Sequence, residues 1–583
     1  MLTTPSRSRR LGFGLLLAML LASAFGQAGQ RATGATAGAA AGPRFEISFT
    51  RDARAEPVTG RVYVAISRTS DARRTPIQQT DVTGVPLFSI GVESLAAGQT
   101  AIIDAGTLGH PLQSLRDIPA GEYFVQPFVN VYTKFARADG HTVWLHMDQW
   151  EGQNWKRSPG NLYGNPVKIT FDPASSAPIK LTADNVIPPV QVPADTDDVK
   201  RIKIQSAILT KWWGHPMYLG ATILLPKDYA KHPDVRYPIA YEQGHFSTGA
   251  PGGFASPATG TAAPGAPATT SAGPVAGAGA GRGGRGGAFG EYWLADTTPR
   301  MIYATLQHPS PYYDDSYGVN SENNGPYGDA IMQELIPAIE TTFRVQRQPW
   351  ARMLTGGSTG GWIALAHQVF YPDFYGGSFA SCPDSVDFRY HQIVNIYQDA
   401  NAYWTDMGWM KLDRPDTRRP DGNITSMMKD ENWYELVQGD KSRSGGQWDI
   451  WEATYSPVGA DGYPMRIWDK TTGVIDKKVA EYWKQHFDLR SVLETNWATL
   501  GPKVANKINV YVGDADTYYL NMGVHMLENF LKTAASPKWA GEIVFQPMAP
   551  HCWGPSRQEL MQKMVAQIEK GAPAGADLKS WRY

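Results

Sequence analysis

Charged residues are few in this chain, and neither sign prevails. They make up 19% of the 583 residues, with 54 basic and 55 acidic side chains. This balance gives neither a surface suited to a polyanion nor the composition of a disordered chain. We therefore expect no nucleic-acid partner.

Long apolar runs are also scarce. No stretch reaches the roughly 20 apolar residues that a transmembrane helix needs, so we expect no stable membrane anchor. The apolar run from Leu11 to Leu21 follows Arg7, Arg9 and Arg10 and precedes small residues, which predicts a signal peptide over residues 1–28. The protein should then be periplasmic or secreted, by Sec as the default, although the paired arginines leave Tat export open.

What the chain does contain is a change of pattern along its length, which together with its size favours two domains. Residues 43–172 alternate apolar and polar residues in short runs broken by Gly and Pro, which predicts an antiparallel β-sandwich. Residues 173–198 are rich in proline and predict a stiff linker.

Residues 199–583 alternate β-rich runs with helical stretches. This rhythm predicts an α/β domain with a doubly wound, mainly parallel sheet. The helical spacing of apolar residues from Tyr327 to Phe343 would cover one sheet face. The predicted strands are Ile202–Leu209 and Gly220–Leu225 as an opening hairpin, then Tyr237–Tyr241, Met301–Leu306, Ala351–Thr355, Gly377–Ser381, Ile508–Val512 and Ile543–Phe545.

Two insertions interrupt this domain. Residues 247–288 are rich in Gly, Ala and Pro and cannot bury a core, so we predict that they are disordered. Residues 388–502 carry eight tryptophans. They predict either a cap over the active site or a helical extension whose tryptophans form its own core.

The chemistry centres on a glycine-rich turn. The strand end Met353-Leu354-Thr355 leads into Gly356-Gly357-Ser358-Thr359-Gly360-Gly361, and a helix follows from Trp362 to Phe370. Strand, tight turn and helix form the context of a nucleophile elbow, which strains the serine backbone and exposes its hydroxyl. The pattern predicts Ser358 as a nucleophile.

A serine hydroxyl needs a general base, and the order in such folds is Ser, acid, His. His551 follows the last predicted strand and is the predicted base, with His525 as an alternative. Asp516 lies just after the strand Ile508–Val512 and is the predicted acid. Asp514 and Asp384 remain open for that role.

Acyl transfer also needs donors for the developing oxyanion. The backbone N–H groups of Thr359, after the nucleophile, and of His245, after the third strand, are the predicted donors. Only the amide of His245 is assigned a part. The mechanism requires no metal and no cofactor.

Further short motifs accompany the elbow between about Lys200 and Cys552. They are Tyr237-Pro238-Ile239 leading to Gly244, Asn320 to Gly325 before Glu334-Leu335-Ile336-Pro337, Gly357-Ser358-Thr359-Gly360-Gly361, Tyr371-Pro372-Asp373, and Gly513 with Asp516. With these motifs the chain resembles the putative-esterase family, which includes esterase D, feruloyl and acetylxylan esterases, enterochelin esterases and mycolyltransferases. The resemblance implies an α/β-hydrolase fold, ester hydrolysis, and a triad of Ser358, Asp516 and His551. One departure is Gln243-Gly244, where the family usually has His-Gly.

The two cysteines are Cys382, after the strand that follows the elbow, and Cys552, next to His551. In an oxidising compartment this pair invites a disulfide, with two free buried thiols as the alternative. Such a bridge would hold the histidine loop, somewhat as the His-adjacent disulfide does in tannase-like feruloyl esterases.

The leading hypothesis is an exported serine esterase acting on a small-molecule or polysaccharide-linked ester. The alternatives are a prolyl-oligopeptidase-type serine peptidase, an acyltransferase that uses the same acyl-enzyme, and a non-catalytic protein that binds a glycan or a partner. The region before the α/β domain is too short and unrepetitive for a propeller, which disfavours the peptidase.

Overall fold

The computed structural model describes residues 42–255 and 282–583. The signal peptide predicted for residues 1–28 therefore lies outside the described residues. Within these residues, no helix is both long enough and apolar enough to cross a membrane.

Two large sheets and one small sheet form the first part of the described chain. One large sheet has three strands in the order β11-β1-β4, and the other has seven, in the order β12-β9-β6-β2-β3-β5 with β10 also paired to β6. The small sheet is the antiparallel pair of β7 and β8. Buried side chains of both large sheets, among them Phe45, Ile103, Val64 and Val125, share one core, which is the arrangement of a sandwich. The strands are β1 (Arg44–Ser48), β2 (Val58–Ser67), β3 (Leu87–Leu95), β4 (Ala101–Asp104), β5 (Gly109–His110), β6 (Gly121–Val131), β7 (Thr133–Ala136), β8 (Thr142–Leu145), β9 (Leu162–Tyr163), β10 (Val167–Phe171), β11 (Pro178–Thr182) and β12 (Asn185–Val186).

The predicted linker is part of this sandwich over much of its length. Strand β11 pairs in parallel with β1, and β12 pairs with β9. Leu181 of β11 is buried beside Ile47 of β1. The prolines of residues 173–198 concealed these strands, whose partners lie far away in the sequence, so the linker prediction was wrong for residues 178–186.

An eight-stranded mixed sheet organises the rest of the chain. Its order is β13-β14-β16-β15-β19-β20-β25-β26, with β14 antiparallel to both neighbours and all pairs from β16 to β26 parallel. The doubly wound arrangement of helices stays a prediction. The strands are β13 (Val199–Ser206), β14 (Met217–Leu224), β15 (Ile239–Gln243), β16 (Ile302–Gln307), β17 (Asn320–Ser321), β18 (Gly325–Pro326), β19 (Arg352–Gly357), β20 (Gly377–Ser381), β21 (Trp404–Asp406), β22 (Lys411–Asp413), β23 (Pro415–Arg418), β24 (Ile424–Met427), β25 (Ile508–Gly513) and β26 (Glu542–Gln546).

Two helical segments differ from the sequence prediction. Residues 207–209, predicted as strand, begin α1, because the Ser206 side chain caps the helix by accepting the N–H of Leu209. The predicted helix from Tyr327 to Phe343 contains a π turn over Ile331–Leu335. This wider turn precedes Pro337, which has no N–H to offer a regular α-helix.

The helices are α1 (Ala207–Trp213), α2 (Arg282–Leu294), α3 (Tyr327–Ala330), α4 (Ile336–Thr342), α5 (Thr359–Phe370), α6 (Met428–Gln438), α7 (Gln447–Tyr455), α8 (Lys477–His486), α9 (Leu489–Val504), α10 (Asn521–Thr533) and α11 (Arg557–Gly571). The start of α2 falls inside the insert that was predicted to be disordered over 247–288. Of that insert, residues 256–281 lie outside the described residues.

The tryptophan-rich insertion packs its own core. Five of its eight tryptophans are buried, and four of these surround the ring of His391 at centroid distances of 4.6–6.3 Å. Trp409, by contrast, is fully exposed. The buried five are Trp448, Trp451, Trp468, Trp483 and Trp497.

The same insertion also contacts the sandwich. Tyr434 and Val437 of α6 join a buried cluster with residues of β2 and β6. The guanidinium of Arg61 donates to the carbonyl of Val437 at 2.9 Å, and the hydroxyl of Tyr63 donates to that of Gln438 at 2.5 Å. Helix α6 therefore ties the sandwich to the α/β region.

Candidate active site

Ser358 lies at the sharp turn between β19 and α5. Its backbone has φ 57° and ψ −125°, a strained conformation for a residue with a side chain. A Cβ at Gly360 would come within 2.0 Å of the carbonyl oxygen of Gln243, and one at Gly361 within 2.6 Å of that of Ser381. Only glycine fits at these two positions, so the sequence Gly356 to Gly361 folds as the predicted elbow.

His551 lies in the loop after β26 and reaches the serine. Its Nε2 is 3.0 Å from Oγ of Ser358, and its Nδ1 is 2.8 Å from Oδ2 of Asp516. The side chain of His551 is 7% exposed and that of Asp516 is fully buried. The three side chains predicted as nucleophile, base and acid thus lie within hydrogen-bonding distance of one another, in the order Ser358, His551, Asp516.

Asp516 and not Asp514 meets the imidazole. Asp516 follows β25, and its Oδ1 accepts the N–H groups of Tyr518 and Leu520, which fix the carboxylate in the loop. Asp514 instead pairs with His525 at 3.1 Å on the surface. The two alternatives left open by the sequence, Asp514 and His525, therefore contact each other.

The charge of Asp516 changes the acid strength of His551. Burial acts to lower the pKa of His551, but the charge of Asp516 and its hydrogen bond outweigh burial, so that the pKa lies above its ordinary value of 6.5. A raised pKa makes the ring a stronger base for the serine proton.

The two predicted oxyanion donors lie on adjoining segments. Thr359 is the first residue of α5, so its N–H has no partner within the helix. His245 belongs to the loop after β15, and Gln243, the last residue of β15, and Gly244 of that loop lie against Gly360. The loop that carries the His245 amide therefore borders the elbow.

The side chain of His245 belongs to an acidic cluster. Its Nδ1 is 3.0 Å from Oδ1 of Asp314 and 3.6 Å from Oδ2 of the buried Asp315. Burial acts to lower the pKa of His245, but the charges of Asp314 and Asp315 raise it to about 10. These three residues offer ligand atoms within 4.8 Å of one another and are one group among the described residues that could hold a metal ion. A protonated His245 already balances one carboxylate without any ion.

Asp384 is a site residue whose contact sequence reasoning missed. It was weighed only as an alternative triad acid, yet its Oδ1 lies 3.3 Å from Oγ of Ser358. Its Oδ2 accepts hydrogen bonds from Tyr317 and from Gln447 and Trp451 of α7. The tryptophan-rich insertion therefore contacts the carboxylate beside Ser358 as well as packing its own core. No motif in the sequence could have signalled Gln447, since it lies 89 residues after the serine.

A disulfide joins Cys382 and Cys552, with their Cα atoms 4.9 Å apart. It links the end of β20 to the residue after His551. The N–H of Ser358 lies 3.2 Å from Sγ of Cys382, so the bridge lies directly beside the elbow.

Part of the chain is similar to a known protein family. Residues 303–545 match the model of a family described as putative esterase, a range that includes Ser358 and Asp516 and ends before His551. No curated protein matches the chain.

Several solved structures are similar to the chain, and each is covered almost completely. A ferulic acid esterase is 12% identical over 64% of this chain and 98% of its own, with a TM-score of 0.34. The fluorophosphonate-binding serine hydrolase F of Staphylococcus aureus is 11% identical over 64% and 98%, with a TM-score of 0.33. An S-formylglutathione hydrolase of Agrobacterium tumefaciens is 10% identical over 64% and 95%, also with 0.33.

The family resemblance inferred from the sequence motifs is confirmed by the family match. Residues 303–545 thus carry the putative-esterase domain of an α/β-hydrolase fold, and the chain is an ester-hydrolysing enzyme.

Proposed function

We propose that the protein is an exported serine esterase that cleaves carboxylic esters through an acyl-enzyme on Ser358. The observation that carries the proposal is the pair of short contacts made by His551, 3.0 Å to Oγ of Ser358 and 2.8 Å to Oδ2 of Asp516. The disulfide beside this site supports export, because such bonds persist in oxidising compartments.

In the acylation step, Nε2 of His551 takes the hydroxyl proton of Ser358 while Oγ attacks the ester carbonyl carbon. The negative charge that forms on the carbonyl oxygen is held by the N–H groups of Thr359 and His245. His551 then protonates the leaving alcohol oxygen as the carbon–oxygen ester bond breaks.

Deacylation repeats these roles with water. His551 removes a proton from water, the resulting hydroxide adds to the acyl carbon, and the carboxylic acid leaves as Oγ of Ser358 recovers its proton. Asp516 stays ionised and stabilises the imidazolium in both steps.

The test is turnover of short-chain and aryl esters by the mature protein and by Ser358→Ala. We expect the variant to lose at least about 10³-fold in kcat, because the nucleophile is gone. Ser176→Ala, which changes an exposed serine just before β11 of the sandwich, serves as the matched control and should keep wild-type turnover.

A mass spectrum of the protein quenched during turnover should show one acyl group on the peptide that contains Ser358. Equal activity of wild type and Ser358→Ala would refute the proposal. Product analysis with added alcohols would separate hydrolysis from acyl transfer.

A further inference from the structure

Asp384 is a buried carboxylate placed against the nucleophile. It follows β20, is 3% exposed, and accepts hydrogen bonds on Oδ2 from Tyr317 at 2.5 Å, Thr359 at 3.2 Å and Trp451 at 3.3 Å. The N–H of Asp384 also lies 3.3 Å from the carbonyl oxygen of Ser358. These contacts fix the carboxylate in one orientation.

The other oxygen of this carboxylate, Oδ1, lies next to the hydroxyl of Ser358. Oδ1 lies 3.3 Å from Oγ of Ser358. A carboxylate oxygen can accept more than one hydrogen bond, so Oδ1 has capacity for a donor on the substrate. With Gln447 at 3.4 Å, Oδ2 has four donors, so that oxygen is occupied and Oδ1 is the one that can serve a ligand.

The position of Asp384 indicates which part of an ester it would meet. The carbonyl carbon attacked by Ser358 carries an oxyanion, a leaving oxygen and an acyl chain. In the proposed mechanism the oxyanion faces the amide of Thr359, and the leaving oxygen faces His551. The acyl chain is the remaining substituent. Its first carbon would be two bonds from Oγ of Ser358, and Oδ1 of Asp384 is 3.3 Å from that Oγ, so a polar group on this carbon would come within reach of Asp384.

We infer that Asp384 forms an acyl-side subsite that selects esters with a hydrogen-bond donor, a hydroxyl or an ammonium group, on the carbon next to the carbonyl. The inference rests on the proposed function, because it requires that Ser358 carry the acyl group. A hydrogen bond to a carboxylate is stronger than one between neutral groups, and an apolar acyl chain would leave Oδ1 without that donor.

The same contact would align the nucleophile. The hydroxyl of Ser358 has a single proton, and two acceptors compete for it, Nε2 of His551 at 3.0 Å and Oδ1 of Asp384 at 3.3 Å. A substrate donor that occupies Oδ1 leaves the serine proton to His551, which is the productive direction. The preference should therefore raise kcat as well as lower KM.

The experiment compares three methyl esters that differ on the carbon next to the carbonyl. Methyl lactate carries a hydroxyl there, L-alanine methyl ester carries an ammonium group, and methyl propionate carries neither. We expect wild type to favour at least one donor-bearing ester over methyl propionate by about tenfold or more in kcat/KM. Asp384→Asn should reduce that ratio at least about fivefold. Asp514→Asn changes a carboxylate that pairs with His525 and should keep the wild-type ratio.

Inhibition of the wild-type protein provides a measurement that needs no folded variant. Lactamide or L-alaninamide should inhibit at least about tenfold more tightly than propionamide. The two donor-bearing compounds distinguish a hydroxyl subsite from an ammonium subsite.

Equal kcat/KM for the three esters would overturn the subsite while leaving the esterase proposal intact. A preference that survives Asp384→Asn would overturn it too. If Ser358→Ala were as active as wild type, the proposed function would fail first, and the subsite with it.

Discussion

Removing the disulfide beside the active site should weaken the fold substantially. The double variant Cys382→Ala, Cys552→Ala removes the only cysteines of the chain, so no other disulfide can form. The bridge closes a loop of 170 residues, and Cys382 is completely buried. It therefore restricts a large part of the unfolded chain.

The size of the effect follows from the loop length. In the chain-entropy relation, a loop of 170 residues removes about 17 cal/mol/K from the unfolded state, or about 5 kcal/mol at 25 °C. Measured losses commonly fall below this value, so we expect the free energy of unfolding to drop by about 3–5 kcal/mol.

Urea unfolding followed by tryptophan fluorescence measures this change, and esterase turnover of the same samples reports on the neighbouring His551. Dithiothreitol should shift the unfolding midpoint of wild type toward that of the double variant and leave the variant unchanged. A loss below about 1 kcal/mol would refute the reasoning, because the bridge would then restrict the unfolded chain very little.

The remaining predictions concern charge. The ammonium group of Lys470 is buried between Glu435, at 2.6 Å, and Asp449. Lys470→Met would leave the two carboxylates buried without their partner, so it should lower the free energy of unfolding by about 3–5 kcal/mol. A change below about 1 kcal/mol in thermal unfolding would contradict this prediction. Because the pKa of His551 lies above 6.5 and catalysis needs the neutral ring, kcat/KM should rise with pH through an apparent pKa above 6.5. Asp516→Asn removes the charge and hydrogen bond of Asp516 that raise the pKa of His551, while burial remains. The apparent pKa in the pH profile of the residual activity should therefore shift to a lower value. An unshifted profile would exclude the assignment.

Local patterns were sufficient to predict the elements that carry the triad. The elbow depends on glycines, which can be identified directly in the sequence. Strand β19 and helix α5 were predicted from the apolar runs on either side of them. Asp516 and His551 could be found because each follows a strand in the parallel part of the same sheet, where the carboxyl ends of the strands meet at one edge. That these three residues catalyse the reaction stays a prediction until the variants are measured.

Contacts between distant segments could not be predicted in this way. Strand β11 pairs with β1 across more than 130 residues, and the prolines in and around it resemble those of a linker. Gln447 and Trp451 reach Asp384 only because the insertion folds back over the elbow. A hydrophobic pattern indicates which side chains are buried, and it does not indicate the surface that they face.

The contact between helix α6 and the sandwich also determines how the protein can be divided. Without the sandwich, Tyr434 and Val437 would lose part of their buried cluster, and the carbonyls of Val437 and Gln438 would lose Arg61 and Tyr63 as donors. Nine residues after Gln438 the same insertion supplies Gln447 to the carboxylate beside the nucleophile. The N-terminal region is therefore not an exchangeable appendage, and gene fusions or domain swaps that keep the hydrolase should carry the sandwich with it.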